Sequence, residues 1–339
     1  MFATCVPGLG RMLRRQLSEH EGIECTGTGF DGRSELVFFA ADRDGRAAAL
    51  SSRLAEDVFA ETGRASRTAA GSATAVAAAA WPADGVQRAL SAWAELVRPL
   101  SGSMTYRVIA RVLGESRFLR TDLRQAMTAA VGRDRPRWRV ADPAQLEVWI
   151  SEWHDGQYAA GLRLSDARLR QHGGRAAERH GALRPTVAAA MVAQAGPPAG
   201  LLLDPCCGAG TILAEALAAG WAAEGSDLDA GAVAAANANA PGARVSQADA
   251  RDLLLADASV AACVSNLPFG RQFEVEGGLT AWTGAVLAEL SRVTRSDGTV
   301  VLLSPELPRT AIPAALRLRR QIPVRLLGTQ PSIWTFRRA

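Results

Sequence analysis

A glycine-containing loop joins an apolar run to a helical pattern within residues 201–217. The run Leu-Leu-Leu ends in Asp204, and the loop after it reads Pro-Cys-Cys-Gly-Ala-Gly-Thr. A buried strand, a tight loop and a helix N-terminus, in that order, present backbone N–H groups to a ligand. The loop lacks the Lys-Ser/Thr pair of a triphosphate site, and Leu213 stands where the dinucleotide-binding pattern has its third glycine. It therefore favours a ligand with an amino acid and a nucleoside but no phosphate, a description that fits S-adenosylmethionine.

Three further polar residues follow predicted strands downstream of this loop. Asp227 lies 17 residues after Gly210, where an acid is placed to accept hydrogen bonds from a ribose. Asp249 lies one strand–helix repeat later, in position to contact an adenine amino group, and Asn266 follows the apolar run 261–264. Because the carboxyl ends of parallel strands meet at one edge of a sheet, we expect these residues in one site. The expected cofactor contacts are Asp204, Pro205, Cys206, Gly208, Gly210, Asp227, Leu228, Asp249, Ala250 and Asn266.

The tetrapeptide Asn-Leu-Pro-Phe at 266–269 is suited to methylation of an amino group on a base. Such a nitrogen is a poor nucleophile, but S-adenosylmethionine is already an activated donor, so the site chiefly needs to aim the nitrogen. The Asn266 side-chain oxygen and the Leu267 carbonyl are expected to accept the two amino hydrogens. Pro268 bends the chain toward the pocket, and Phe269 offers a ring on which the base stacks. These four residues are the expected catalytic set, and none of them is a strong general base.

Two motifs together, Asp-Pro-Cys-Cys-Gly-Ala-Gly-Thr and Asn-Leu-Pro-Phe-Gly, resemble the RNA guanine-N2 methyltransferases that carry an RNA-binding THUMP domain. The resemblance extends upstream to residues 180–186, 161–165 and 118–123. It implies an α/β protein with a Rossmann-like class I methyltransferase domain, whose mainly parallel sheet has an antiparallel edge. It also implies S-adenosylmethionine as the cofactor and the N2 of a guanosine in tRNA, flipped into the pocket, as the target.

Several alternatives remain open at this stage. Many family members have a second proline where Leu267 stands, which leaves open the base and nitrogen that are methylated. Ribosomal RNA is an alternative substrate, and an adenine N6 is an alternative target because Asn-Leu-Pro-Phe could bind either amino group. A non-catalytic RNA-binding protein with a relic domain is disfavoured because the acids, the glycines and Asn266 are all intact. A nicotinamide dehydrogenase is disfavoured by the missing third glycine.

Four segments are predicted along the 339 residues. Residues 1–65 are expected to form a ferredoxin-like α+β module, and the resemblance implies a THUMP RNA-binding domain at 66–167. The arginine-rich stretch 168–184 is a linker, and 185–339 form the Rossmann-like methyltransferase domain, in which strands and helices alternate. The tail is expected to form strands at 316–320, 324–328 and 332–337.

The positive charge is concentrated in the middle of the chain. All 38 basic residues are arginine, and residues 107–184 have a net charge of +6, whereas the segments before and after them each have −1. Such a localised basic region indicates contact with a phosphate backbone. In the run Arg-Asp-Arg-Pro-Arg-Trp-Arg at 133–139, an extended chain would place the arginines on one side and Trp138, expected in the core, on the other. The expected RNA contacts are Arg117, Arg120 and Arg124 on one helix face, together with Arg137.

The remaining composition indicates a cytoplasmic enzyme without a metal. Five scattered cysteines and four histidines have no metal-ligand spacing, and the linker residues His172 and His180 are expected to be solvated. No apolar run approaches the roughly 20 residues of a membrane span. We expect a monomer whose partner is tRNA.

Overall fold

A computed structural model describes residues 1–66, 71–113, 118–179, 181–268, 278–326 and 330–339. The chain divides into two compact units, Met1–Arg170 and Gln171–Ala339.

The first unit is built on one eight-stranded sheet. Its strands are β1 (Phe2–Cys5), β2 (Ile23–Phe30), β3 (Glu35–Ala41), β4 (Asp57–Ala65), β5 (Thr105–Arg111), β6 (Arg139–Val140), β7 (Leu146–His154) and β8 (Gln157–Arg163). They lie in the order β2-β3-β1-β4-β8-β7-β5-β6. The helices of this half are α1 (Gly10–Ser18), α2 (Arg43–Leu50), α3 (Ala73–Ala80), α4 (Ala83–Leu96) and α5 (Arg120–Asp134), with the short α6 (Ala167–Gln171) at the junction of the units.

The sheet of the first unit runs through the boundary that the sequence predicts at residue 65. Strand β4 pairs antiparallel with β8, from Phe59 opposite Arg163 to Ala65 opposite Tyr158. Phe2 and Phe59 stack with their ring centroids 4.6 Å apart in the core beneath these strands. The two halves therefore share a sheet, and their division into two modules, like the other segment limits, stays a prediction.

The second unit has the predicted Rossmann-like architecture. Its strands are β9 (Leu201–Asp204), β10 (Ala222–Asp227), β11 (Arg244–Gln247), β12 (Val260–Asn266), β13 (Thr294–Ser304), β14 (Leu316–Pro323) and β15 (Ser332–Arg338). Its helices are α7 (Pro185–Gln194), α8 (Thr211–Ala218), α9 (Ala230–Asn239) and α10 (Leu279–Val293).

The strand order of the second unit is β11-β10-β9-β12-β13-β15-β14. The first five strands are parallel, and β15 and β14 pair antiparallel at one end. Parallel strands need both faces covered, which explains why β12 is apolar and buried from Val260 to Val264. The prediction of a mainly parallel sheet with an antiparallel edge is confirmed.

Two local predictions are wrong. Residues 133 and 134 continue helix α5, and the chain then turns into the two-residue strand β6, so the arginines of 133–139 do not line one extended face. Trp138 is buried against Tyr106, with ring centroids 6.2 Å apart, and this packing overrides the alternating pattern. In the tail, β14 continues to Pro323 and no separate strand begins at Val324, while residues 327 and 328 lie outside the described part.

Candidate active site

Asp204 ends strand β9 and is the most deeply buried acid of the predicted site, with 1% of its surface exposed. Its Oδ1 accepts hydrogen bonds from the Ser265 hydroxyl at 2.7 Å and from the Cys206 N–H at 3.2 Å. Burial, opposed by these two hydrogen bonds and reinforced by the nearby Asp227 charge, raises the pKa of this carboxyl to about 7. The site therefore holds an acid that a bound cation would stabilise in its ionised form.

The two glycines of the loop have different roles: one borders open space, and the other allows two helices to pack closely. Gly208 has a φ of +52°, and a Cβ on it would meet nothing within 4 Å, so its backbone borders open space. Gly210, at the N-terminus of α8, has a φ of +77°, and a Cβ there would lie 2.9 Å from the Ala236 Cα. Gly208 therefore suits close approach of a ligand, whereas Gly210 is required for the contact between α8 and α9.

Asp227 connects the ends of two neighbouring strands. Its Oδ2 accepts a hydrogen bond from the Gly208 N–H at 2.9 Å, and its Oδ1 accepts one from the Asp229 N–H at 3.0 Å. Each oxygen keeps a lone pair for a second donor such as a ribose hydroxyl. Leu228, directly after it, is 66% exposed and so offers an apolar surface beside the site.

Asp249 already has a protein partner. The Arg251 guanidinium donates to both of its oxygens, with Nη2 2.6 Å from Oδ2 and Nε 3.0 Å from Oδ1. These hydrogen bonds lower the pKa of Asp249. A contact with an adenine amino group would therefore be made by a carboxylate that Arg251 holds in place, next to the buried Ala250.

Asn266 ends strand β12 at the same edge of the sheet as Asp204. Cys263 lies opposite Leu203 in the parallel pairing, so Asn266 extends about two residues beyond the level of Asp204. The Asn266 Oδ1 is buried and has no hydrogen-bond partner among the described residues. An unpaired buried acceptor costs free energy, which a ligand donor would recover.

The structure describes two of the other three residues of the tetrapeptide, and these two differ in burial. The Leu267 side chain belongs to the buried core cluster that also contains Leu203 and Val286, which leaves its backbone for the contact with a ligand that the sequence predicts. Pro268 is half-buried, and Phe269 lies outside the described residues.

The cysteines near the loop are neutral thiols. Burial raises the pKa of Cys206 and of Cys207, and it raises that of Cys263 to about 12. Over the described ranges, no three His, Cys, Asp or Glu side chains are grouped so as to hold a metal ion. Within the same ranges no helix is long and apolar enough to cross a membrane.

The expectation that His172 is solvated is wrong, and His180 lies outside the described residues. The His172 Nδ1 is 2.7 Å from the Glu215 Oε1 in α8, and the two side chains are only 4% and 3% exposed. The Asn239 side chain makes a second contact with this segment, since it accepts a hydrogen bond from the Ala177 N–H and donates one to the Ala177 carbonyl. It also donates to the Ala209 carbonyl in the glycine loop. The linker therefore packs against α8 and α9 behind the glycine loop.

We expect His172→Ala to lower the free energy of unfolding by about 1 to 3 kcal/mol, because it removes a hydrogen-bond partner of the buried Glu215 carboxyl. Urea denaturation followed by tryptophan fluorescence measures this loss. His154→Ala, at an exposed hairpin position, is the matched control and should change it by less than about 0.5 kcal/mol. Equal stabilities of the two variants would contradict a structural role for the His172–Glu215 contact.

The predicted RNA-binding arginines are exposed in the first unit. Arg120, Arg124 and Arg137 have no ion-pair partner in the described part of the chain, and Arg117 lies outside it. Other arginines of the same basic segment are neutralised: Arg107 pairs with Asp142 and Glu147, and Arg163 pairs with Asp57 and Glu147. The unpaired charge is therefore concentrated on fewer residues than the sequence total indicates.

Comparison with known families identifies the second unit. Residues 172–325 match the profile of the UPF0020 family, described as an RMKL-like methyltransferase domain. The match covers most of the second unit, residues 171–339, and describes it as a methyltransferase domain. The matched range contains the glycine loop, all three strand-end acids and Asn266.

Relatives agree with this assignment of the methyltransferase domain. A 134-residue region is 37% identical to the U6 snRNA (guanine-N(2))-methyltransferase THUMPD2 of Bos taurus and 35% identical to that of Mus musculus. The match covers 37% of this chain and 26% and 24% of those proteins, so the chain spans about a quarter of the curated relatives that it matches.

Solved structures match the chain from end to end. TrmN from Thermus thermophilus superimposes with a TM-score of 0.79 and 25% identity over 100% of this chain and 99% of that one. A predicted N6-adenine-specific DNA methylase from Listeria monocytogenes has a TM-score of 0.69 and 16% identity, over 99% and 95% of the two chains, and shows the shared fold.

S-adenosylmethionine is the cofactor of this methyltransferase domain, and the residues present fit it. The space over Gly208 leaves its backbone accessible, and the buried acid Asp204 suits a ligand that carries positive charge. Asp227 retains acceptor capacity for the hydroxyl groups of a nucleoside. These three residues would hold the cofactor, and Asn266 ends a strand at the same sheet edge with a buried acceptor that has no partner among the described residues.

We expect cofactor binding to release a proton from Asp204 below pH 7, because the bound cation favours the carboxylate. Only about a tenth of Asp204 is ionised one pH unit below its pKa, so affinity should be about 10-fold weaker at pH 6 than at pH 8. Calorimetry in two buffers of different ionisation enthalpy measures the proton. The Asp204→Asn control should show no such pH dependence, and proton release that persists in it would contradict the assignment.

The same shift affects stability without the cofactor. The folded-state pKa of Asp204 lies above its ordinary value of 3.8, so the folded protein binds the proton more tightly. The contribution of Asp204 to the free energy of unfolding is therefore greatest at low pH and is lost as the pH rises through about 7.

Proposed function

We propose that this protein transfers a methyl group from S-adenosylmethionine to the exocyclic N2 of a guanosine in RNA, with tRNA as the substrate. The observation that carries this proposal is the unpartnered, buried Oδ1 of Asn266 at the sheet edge that holds the cofactor residues. An exocyclic amino group supplies the N–H donors that this acceptor lacks. The relatives named as guanine-N2 methyltransferases support N2 as the nitrogen that is methylated, and their snRNA substrate supports RNA as the polymer.

The chain's contribution to the reaction is positioning. The cofactor supplies a methyl group that is already activated by a positively charged sulfur. Asn266 Oδ1 accepts one amino hydrogen and the Leu267 carbonyl accepts the other, which directs the nitrogen lone pair toward the cofactor. Holding reactants in this way lowers a barrier by up to roughly 7–11 kcal/mol. Because the Asn266 amide does not take up a proton, the rate depends on orientation rather than on general-base catalysis, and the amino hydrogen that the new N–C bond replaces leaves as a proton to water.

The first unit is proposed to provide RNA affinity. Flipping a paired base out of a helix costs a few kcal/mol, and stacking it on the Phe269 ring returns about 1–3 kcal/mol. The catalytic pocket alone therefore gains little net affinity. The unpaired Arg120, Arg124 and Arg137 supply phosphate contacts elsewhere on the RNA.

The test is mass spectrometry of nucleosides after incubation of the protein with S-adenosylmethionine carrying a deuterated methyl group. Unmodified transcripts of tRNA, U6 snRNA and a ribosomal RNA fragment are compared, and tRNA should yield N2-methylguanosine. Label in the U6 transcript alone would replace tRNA by the substrate of the named relatives. Labelled N6-methyladenosine would overturn the assignment of the nitrogen, and an absence of label in every RNA would overturn the activity.

Two further features belong to the same proposal. We propose that the enzyme acts as a monomer and that it acts in the cytoplasm. Sedimentation velocity of the purified protein at micromolar concentration tests the first of these, and a dimer there would contradict it.

A further inference from the structure

The end of the chain has a charge balance opposite to that of the unit that contains it. Residues 307–339 include seven arginines and neither Asp nor Glu, although residues 185–339 as a whole have a net charge of −1. Five of these arginines lie on the two antiparallel strands β14 and β15, namely Arg317, Arg319, Arg320, Arg337 and Arg338. The positive charge is therefore concentrated at the antiparallel edge of the methyltransferase sheet.

Three of the five share one face of the sheet. Arg317 lies opposite Arg337, and Arg320 lies opposite Thr335, with a register shift between the two positions on β14. Thr335 and Arg337 are two residues apart on β15, so their side chains point to the same face. Arg320 Nη1 lies 3.5 Å from the Gln194 Oε1 at the end of α7, so this face lies on the same side of the sheet as α7.

These arginines are poorly neutralised by the protein. Arg317 and Arg319 are exposed and have no acidic partner in the described ranges, and Arg320 contacts only the neutral Gln194. Arg337 lies 3.7 Å from the exposed Asp297. Like charges directly opposite on neighbouring strands destabilise a sheet, and an anion bound between them removes that cost.

The strand register connects this face to the candidate active site. Asn266 lies opposite Leu303, Leu303 opposite Ile333, and Ile333 opposite Ile322. Strand β14 is thus three strands from Asn266, or about 14 Å away at the usual strand spacing. Arg320 comes two residues before Ile322, and the other arginines of β14 extend from there toward the opposite end of the strand.

We propose that this arginine face, formed by Arg317, Arg320 and Arg337 with Arg319 at the register shift, binds backbone phosphates of the RNA a few nucleotides away from the target nucleotide. This inference rests on the proposed function for the identity of the polymer. The guanidinium group binds phosphate through paired N–H donors, and its charge does not titrate. Because the contacts are to the backbone, this face contributes affinity and direction to the strand and does not select a base.

The experiment measures binding of a fluorescein-labelled tRNA transcript by anisotropy at several salt concentrations. Replacing Arg317, Arg319 and Arg320 together by Gln should weaken binding at least 10-fold. It should also reduce the slope of log K against log salt by about 2, since three phosphate contacts are lost. S-adenosylmethionine affinity should stay within 2-fold of the parent protein. The Arg338→Gln control removes an arginine on the opposite face, where it donates to the Ser291 carbonyl, and should leave RNA affinity within 2-fold.

A second function of edge arginines is to prevent edge-to-edge association of sheets. Replacing the same three arginines by Glu distinguishes RNA binding from prevention of edge-to-edge association, because glutamates keep the edge charged but repel phosphate. The Glu variant should sediment like the parent protein and bind tRNA more weakly than the Gln variant. Self-association of the Gln variant with unchanged RNA affinity would overturn the proposal.

The binding assay does not depend on methyl transfer, so the proposed function and this inference can fail separately. Wild-type protein that binds tRNA through this face but transfers no methyl group would contradict only the proposed function. Methyl transfer to RNA with unchanged affinity in both triple variants would contradict only the arginine face.

Discussion

Asn266→Ala should lower the rate of methyl transfer to RNA by about 100-fold or more while leaving cofactor affinity within a few-fold. The reason is that the Oδ1 of Asn266 is buried and unpartnered at the end of β12, and its proposed partner is the amino group that reacts. Misplacement of a reacting group by about 1 Å costs about 100-fold in rate. Single-turnover kinetics with saturating RNA measure the chemical step, and calorimetry with S-adenosylhomocysteine measures the cofactor site.

Two other variants define what this change removes. Asn237→Ala, on the exposed side of α9, removes the same kind of side chain away from the site and should retain the parent rate. Asn266→Asp keeps an acceptor at the same place and should retain more activity than Asn266→Ala. If Asn266→Ala turns over at the parent rate, or if Asn237→Ala loses as much, the amino group is held by other residues.

The second unit was predictable because its signals are local in sequence. Asp204 and the glycines of the loop lie within seven residues, and each later acid follows its own strand. Parallel strands with helical connections then bring these ends to one edge of the sheet, so that spacing along the chain translates into position. The antiparallel edge followed from the resemblance to the family.

The contacts that the sequence did not predict join residues far apart in the chain. Strand β4 pairs with β8, about a hundred residues later in the chain, and the sequence of neither strand indicates which strand it pairs with. His172 is a lone histidine in an arginine- and glycine-rich segment, where a solvated side chain is the simplest interpretation. Its burial depends on Glu215 in α8, which is itself an unusual acid within an apolar helix. That buried acid was the one available signal.

The net charge of the methyltransferase segment gave no indication of a second basic surface. The methyltransferase segment has a net charge of −1, because acids near the cofactor loop balance arginines at its end. Only the strand register shows that Arg317 and Arg337 lie side by side. In the first unit the reverse holds, since Arg107 and Arg163 count toward the basic total but are held by acids. Charge therefore predicts a binding surface only after the ion pairs are known.

Replacing Arg120, Arg124 and Arg137 together by Ala should weaken tRNA binding by about 100-fold at low salt. Each of these exposed arginines lacks an acidic partner within the described residues, so each is free to bind a phosphate. A loss of about 1 kcal/mol per contact corresponds to about 100-fold for three. The salt dependence should also flatten, because fewer counterions are released on binding. Filter binding of a labelled tRNA transcript over a salt series measures both quantities.

The matched control removes three exposed arginines that already have acidic partners. Arg15 pairs with Glu19 at 3.2 Å, Arg43 with Glu95 at 2.7 Å and Arg64 with Glu61 at 2.6 Å. Replacing these three by Ala changes the net charge by the same amount, so it tests whether total charge or unpaired charge binds the RNA. We expect the control to lose less than 5-fold in affinity, since its arginines would first have to leave their carboxylates. Equal losses in the two triple variants would show that tRNA responds to the overall charge of the first unit, and that the positions of Arg120, Arg124 and Arg137 carry no specific contact.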